Sequence, residues 1–180
     1  MNANDILLFV LDKLVVGIIT GLVASMIFFY ALYTLKPKLK ISDQIAKGQD
    51  VVDGRTLYRI KVVNHTKVPV IDVRAQLHIF RGFGAGQGRI YKSREVELKQ
   101  SSPIAIPQYN KKDKEANYAY RFVTYKPLDE EWRDAQEFLR FRIICNHAVS
   151  GFGQYFFRDY YVKDDIVEGN FEKGDSFKIR

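Results

Sequence analysis

The sequence predicts a mainly β protein carried on one N-terminal transmembrane helix: an antiparallel β-sandwich or small β-barrel of seven or eight strands. Three observations predict it. An uncharged run of 22 residues, Leu14 to Leu35, stands near the start. From Lys38 onward the dominant hydrophobic period is two, the period of half-buried strands. Aromatic residues are plentiful, with 13 Phe and 11 Tyr, and they favour strands.

The uncharged run comes first. At ~1.5 Å per residue it makes a helix of roughly 33 Å, which matches a bilayer core. A cleaved signal peptide does not fit. The start lacks a basic stretch, Asp5 is acidic, the apolar run is too long, and Lys36-Pro37-Lys38 offers no small-residue cleavage site. Pro37 suits the helix exit. Residues 1–36 therefore read as an anchor and 37–180 as a β domain. The apolar stretch Ile6 to Leu11 is cut off by Asp12 and Lys13, so it extends the helix into the headgroup layer or lies along the interface. Tyr30 and Tyr33 sit near the other end, where amphipathic rings prefer the interface. Lys36, Lys38, Lys40 and Lys47 follow the span while Lys13 alone precedes it. The positive-inside rule then predicts a single-pass protein of the inner (plasma) membrane with its C-terminal domain in the cytoplasm. On that side the sequon Asn64-His65-Thr66 has no meaning.

Within the span, Gly17, Gly21 and Ser25 recur every fourth residue, with Ala24 beside them. Small residues on one helix face permit close backbone approach, so this face is the candidate for self-association into a homo-oligomer.

The strands follow in order. In "TLYRIKVVN", Leu57, Arg59 and Lys61 alternate with Tyr58, Ile60 and Val62. In "VIDVRAQLHIF", Ile71, Val73, Ala75, Leu77 and Ile79 alternate with Asp72, Arg74, Gln76 and His78. "NYAYRFVTY" groups Tyr118, Tyr120, Phe122 and Thr124; "FLRFRIICNHA" groups Leu139, Phe141, Ile143 and Cys145. "GQYFFRDYYV" is a further strand with aromatics on both faces. Lys40 to Ala46, Ile90 to Leu98 and Ser176 to Ile179 are weaker candidates. "PLDEEWRDAQEF" suits one or two helical turns, with Pro127 and acidic residues at the start. "RGFGAGQGR" (Arg81 to Arg89) reads as a hairpin loop. It resembles a dinucleotide-binding loop, but Gln87 stands where a glycine is needed and no helix pattern follows.

Composition and motifs narrow the function classes. The single Cys145 excludes an intrachain disulfide framework. One lysine and two aspartates of the 28 basic and 21 acidic residues lie before Lys36, leaving 27 against 19 and a net +8 beyond it. Such a body is drawn to lipid headgroups or nucleic acid, although the interleaved acids also fit a solvated mixed surface. No sequence-specific nucleic-acid motif stands out. His65, His78 and His147 lack metal-ligand spacing. Cys145 and His147 point the same way on a strand, as a nucleophilic dyad requires; a buried thiol beside a strand-end histidine is the commoner arrangement. Asp164-Asp165 and Asp129-Glu130-Glu131 read as solvated loop acids. We expect no enzyme activity, no cofactor and no metal. Arg121, Arg140, Arg142 and Arg158, with Tyr118, Tyr120, Tyr155, Tyr160 and Tyr161, lie on strands and would suit an anionic ligand, since arginine grips phosphate and aromatic rings stack bases. Core filling by the aromatics with arginines alternating outward is the competing reading.

"VRAQL" at Val73 to Leu77, preceded by Asn64, and "SPIAI" at Ser102 to Ile106 resemble the cytoplasmic domain of inward-rectifier potassium channels. The resemblance covers about a quarter of the chain. It implies an immunoglobulin-like sandwich following a membrane helix. The outer helix, pore loop and filter of that family have no counterpart here, so it implies nothing about ion conduction. In architecture alone, the chain is also similar to membrane-anchored β-barrel effectors of bacterial cyclic-nucleotide antiphage signalling. The expectation is thus a membrane-anchored, non-enzymatic interaction or sensor module, with the bilayer, further copies and a protein or anionic small ligand as partners. The alternative is a nucleotide-gated membrane effector.

Overall fold

The computed structural model describes residues 3–85, 88–134 and 136–180. Gly86 and Gln87 of the glycine-rich hairpin lie outside them. The chain divides into two compact units, residues 1–36 and 37–180.

The first unit is helix α1, Ala3–Thr34. Leu11–Thr34, 24 residues, is long and apolar enough to cross a membrane, with a mean hydropathy of 2.3 over an 18-residue stretch within it. Within it the threonine and serine side chains turn back on the helix. Thr20 Oγ1 donates to the Val16 carbonyl at 2.6 Å and Ser25 Oγ to the Gly21 carbonyl at 2.8 Å. Such back-bonding lets a hydroxyl sit in an apolar helix without an unsatisfied donor.

The second unit is mainly β. Its first sheet contains β1 (Leu39–Ile41), β2 (Ile45–Gln49), β3 (Thr56–Asn64), β7 (Ala119–Thr124) and β10 (Ile166–Glu168). β1 and β2 both lie along one edge of β3, β7 lies along the other, and β10 adds to β2. The second sheet contains β4 (Val70–Ala85), β5 (Gly88–Val96), β6 (Ala105–Ile106), β8 (Glu137–His147) and β9 (Gly153–Tyr160), in the order β5-β4-β8-β9 with β6 on the start of β4. The described residues thus hold ten strands rather than seven or eight. The expected strand Lys40 to Ala46 divides into β1 and β2, and β6 and β10 are additions, each too short for alternation to reveal. β10 also departs from the antiparallel pattern, pairing parallel to β2. The helical turn is α2, Leu128–Glu131. Of the weak C-terminal candidate, a single bridge from Ile179 to Phe171 forms.

The inward sides of the two sheets close on one core. Ile45, Tyr58, Ile60, Val62 and Phe122 come from the first sheet; Val73, Leu77, Ile79, Leu139, Phe141 and Ile143 come from the second. The rings of Phe122 and Phe141 meet across the sheets with centroids 5.2 Å apart. Tyr160, fully buried, ties β9 to the first sheet by donating to the Ser42 carbonyl at 2.9 Å. Asn64 is buried too. Its amide donates to the carbonyls of Val68, Ile106 and Pro107, which pins the turn between β3 and β4 and leaves the sequon no free side chain.

One polar position departs from simple alternation. Lys61 is fully buried, although it lies on the outward side of β3 with Arg59. The C-terminal segment covers it. Its ammonium donates to the carbonyls of Glu172 at 2.7 Å and Ser176 at 2.6 Å, and lies 5.9 Å from the ring centroids of both Phe171 and Phe177. Burial pushes its pKa down to about 8.

Candidate binding face

The outer face of the second sheet is assembled by register. Inward positions of β4 and β8 are filled by Val73, Ala75, Leu77 and Ile79 and by Leu139, Phe141, Ile143 and Cys145, so their neighbours must point out. Cross-strand pairing then lines the outward residues into rows. Ser93, Phe80 and Phe138 form one; Glu95, His78, Arg140 and Asp159 the next; then Gln76, Arg142 and Phe157; then Arg74, Ile144 and Tyr155.

Arg140 is the centre of this face. Its Nε and Nη2 donate to the two carboxylate oxygens of Asp159 at 2.6 and 2.7 Å. That pair of bonds raises the arginine pKa. The guanidinium lies over the rings of Phe157, Phe80 and Phe138, 5.1 to 5.4 Å from their centroids. Phe80 and Phe138 stack nearly parallel, 5.3 Å apart at 13°. Tyr91 meets Phe138 edge-on and Tyr161 leans against it. Arg140, Phe80, Phe138, Tyr91 and Tyr161, with Phe83 and Gln136, line a groove of about 830 Å³. Glu137 at its floor is not a free acid. It accepts bonds from Arg94 at 2.8 and 3.1 Å and from the Arg133 backbone, and the Arg94 bonds hold its pKa below the usual carboxylate range.

Two buried polar atoms on this face, His78 Nδ1 and Arg142 Nε, have no hydrogen-bond partner among the described residues. Burial, and then the charge of Arg142, lower the His78 pKa. Arg142 has no carboxylate within 4.0 Å among the described residues; its guanidinium carbon lies 5.7 Å from the Phe80 ring centroid.

Of the residues expected to hold an anion, the structure brings Arg140 and Arg142 onto one face, with Tyr155 and Tyr161 beside them. The others lie elsewhere. Arg121 is on β7 opposite Lys61, with its pKa lowered by burial. Arg158 reaches the seam between sheets and pairs with Asp43 at 3.1 Å. Tyr118 is buried edge-on against Tyr109. Tyr120 donates to Gln100 at 2.7 Å, and Tyr160 is in the core. The sequence reading missed Phe80, Phe138, Phe157 and Asp159. Their signal was the polar side of each alternating strand ending in phenylalanine, but only register shows that those ends meet.

The remaining candidates are local. Cys145 is fully buried, and burial pushes its thiol up to about 12. His147 Nδ1 is engaged by the Ser150 backbone N–H and hydroxyl in its own turn. Asp129 accepts from Tyr58 at 2.9 Å and pairs with Lys47 at 2.7 Å. Among the described residues no group of three or more His, Cys, Asp or Glu could hold a metal ion. Lys36, Lys38 and Lys40 are exposed, with Lys40 over the Phe177 ring. Gly17, Gly21, Ala24 and Ser25 lie on α1, and a Cβ on either glycine would meet nothing within 4 Å.

No protein-family description matches this chain, and no curated protein matches it.

Proposed function

We propose that the chain is a single-pass, membrane-anchored, non-enzymatic interaction module whose cytoplasmic β domain binds a protein partner through the outer face of its second sheet. One observation carries this reading. The solvent side of a two-layer antiparallel sheet is normally polar. Here it presents Tyr91, Tyr155, Phe157 and Tyr161, each 47% to 64% exposed. Exposed aromatic clusters rimmed by arginine are the composition of binding surfaces. The strand order β5-β4-β8-β9 against β2-β3-β7 supports an immunoglobulin-like sandwich, since it reads C′-C-F-G against A-B-E. That agrees with the resemblance to the channel cytoplasmic domain. The apolar helix supports the anchor and the exposed lysines after it support a cytoplasmic body. The small-residue face of α1 supports self-association.

The test is a photo-crosslinking residue in place of Phe157 in the full chain, in cells, with a matched control at the exposed Gln49 of the first sheet. The reading predicts a discrete adduct at 157 and none at 49. Absence of an adduct at 157, or equal adducts at both, contradicts it.

A second reading, a nucleotide-gated effector, is favoured by the unpaired Arg142 guanidinium beside the aromatic groove. Cyclic di- and oligonucleotides would then raise the melting temperature of the full chain in detergent. No shift with any of them removes this reading.

A further inference from the structure

The edges of the two sheets are unlike one another. β5 carries Lys92, Arg94 and Glu95, and charge on an edge discourages added strands. β7 is covered: the Lys99 backbone donates to the Val123 carbonyl at 2.7 Å and Thr124 Oγ1 to the Glu97 carbonyl at 2.7 Å, so the chain before β6 runs along it. β10 has three residues. β9 has eight, is uncharged from Gly153 to Phe157, and among the described residues pairs with β8 alone. Its backbone therefore presents a row of donors and acceptors to which no further strand among the described residues is hydrogen-bonded. Its outward side chains are the stacked pair Tyr155 and Phe157, centroids 5.7 Å apart and 47% and 54% exposed. On its other side Arg158 projects, 44% exposed, with the more exposed Asp43 as its ion-pair partner.

We propose that the edge of β9 takes an extended segment of a partner protein as an added strand. The edge dictates the backbone conformation, because only an extended chain matches its donors and acceptors. The side chains dictate the sequence class. Alternate residues of the segment lie against the Tyr155–Phe157 rings and are apolar, and a residue of the other parity lies beside Arg158 and is acidic. This deepens the proposed function and rests on it. The partner docks by continuing the sheet at β9, with its side chains extending the aromatic rows.

The test uses the full chain in nanodiscs as bait for a displayed library of random ten-residue peptides. Recovered peptides should alternate apolar residues at every second position. Methylating single backbone nitrogens should weaken binding at least tenfold at one parity and leave the other unchanged. Tyr155→Lys with Phe157→Lys should abolish binding; Tyr155→Ser serves where that pair does not fold. No enriched peptide, or methylation with no parity, overturns the inference. So does a chain already dimeric through β9, shown by light scattering and broken by Tyr155→Ser. A cross-link at 157 in cells without the parity effect overturns strand addition alone, whereas no cross-link removes the binding face itself.

Discussion

Arg140 and Asp159 stand opposite each other on β8 and β9, and the guanidinium donates two hydrogen bonds to the carboxylate while lying over three phenylalanine rings. Neither part works without the other: the rings strip water from the arginine, and the carboxylate replaces it. Asp159→Asn leaves a charge on apolar rings with half its partner. A loss of about 1–3 kcal/mol is expected, read from thermal melts of the full chain in detergent. Arg140→Lys should lose a similar amount, because an ammonium cannot make the paired contact.

Lys61 makes stability depend on pH. Folded, it releases its proton near pH 8; unfolded, it holds the proton to about 10.4. Between those values the unfolded chain binds more protons, so raising pH favours the folded chain. Measured against Lys61→Met, the native chain should gain up to about 2 kcal/mol from pH 8 to 9.5. Parallel pH profiles for the two chains would refute the buried charge.

Phe141 fills the centre of the core against Phe122. Phe141→Ala should cost about 3–5 kcal/mol, from lost burial plus the cavity left behind. A loss under 1 kcal/mol would mean the two sheets do not share that contact.

Cys145 should resist thiol reagents in the folded chain at pH 8, because it is buried and its thiolate is strongly disfavoured. Labelling in denaturant sets the full signal. Labelling within seconds in the native state would contradict the packing of β8.

A Cβ added at Gly21 meets nothing within 4 Å in the described chain, so Gly21→Ile branches into open space there. Any change in self-association in lipid therefore reports contact between copies. Weaker cross-linking is expected, and unchanged cross-linking would clear this face of the role.

The long strands were legible because each has one buried side: Val73, Ala75, Leu77 and Ile79 alternate with polar neighbours, and so do Leu139, Phe141, Ile143 and Cys145. The short strands β6 and β10 were not, since two or three residues carry no period. Lys61 looked like an outward residue because alternation records which side a residue is on, not what later covers that side. The candidate binding face was half legible. Arg140 and Arg142 stood out as arginines on a strand, but their meeting with Phe80, Phe138 and Phe157 depends on register between strands far apart in sequence. The same register scattered Arg121, Arg158, Tyr118 and Tyr160 to other places.

The central claim is that α1 holds the β domain at a membrane. Washing cell membranes with alkaline carbonate tests it most directly, because the wash strips peripheral proteins and leaves spanning helices in place. The full chain should stay in the pellet and move to the supernatant only with detergent; release by carbonate alone would contradict the account.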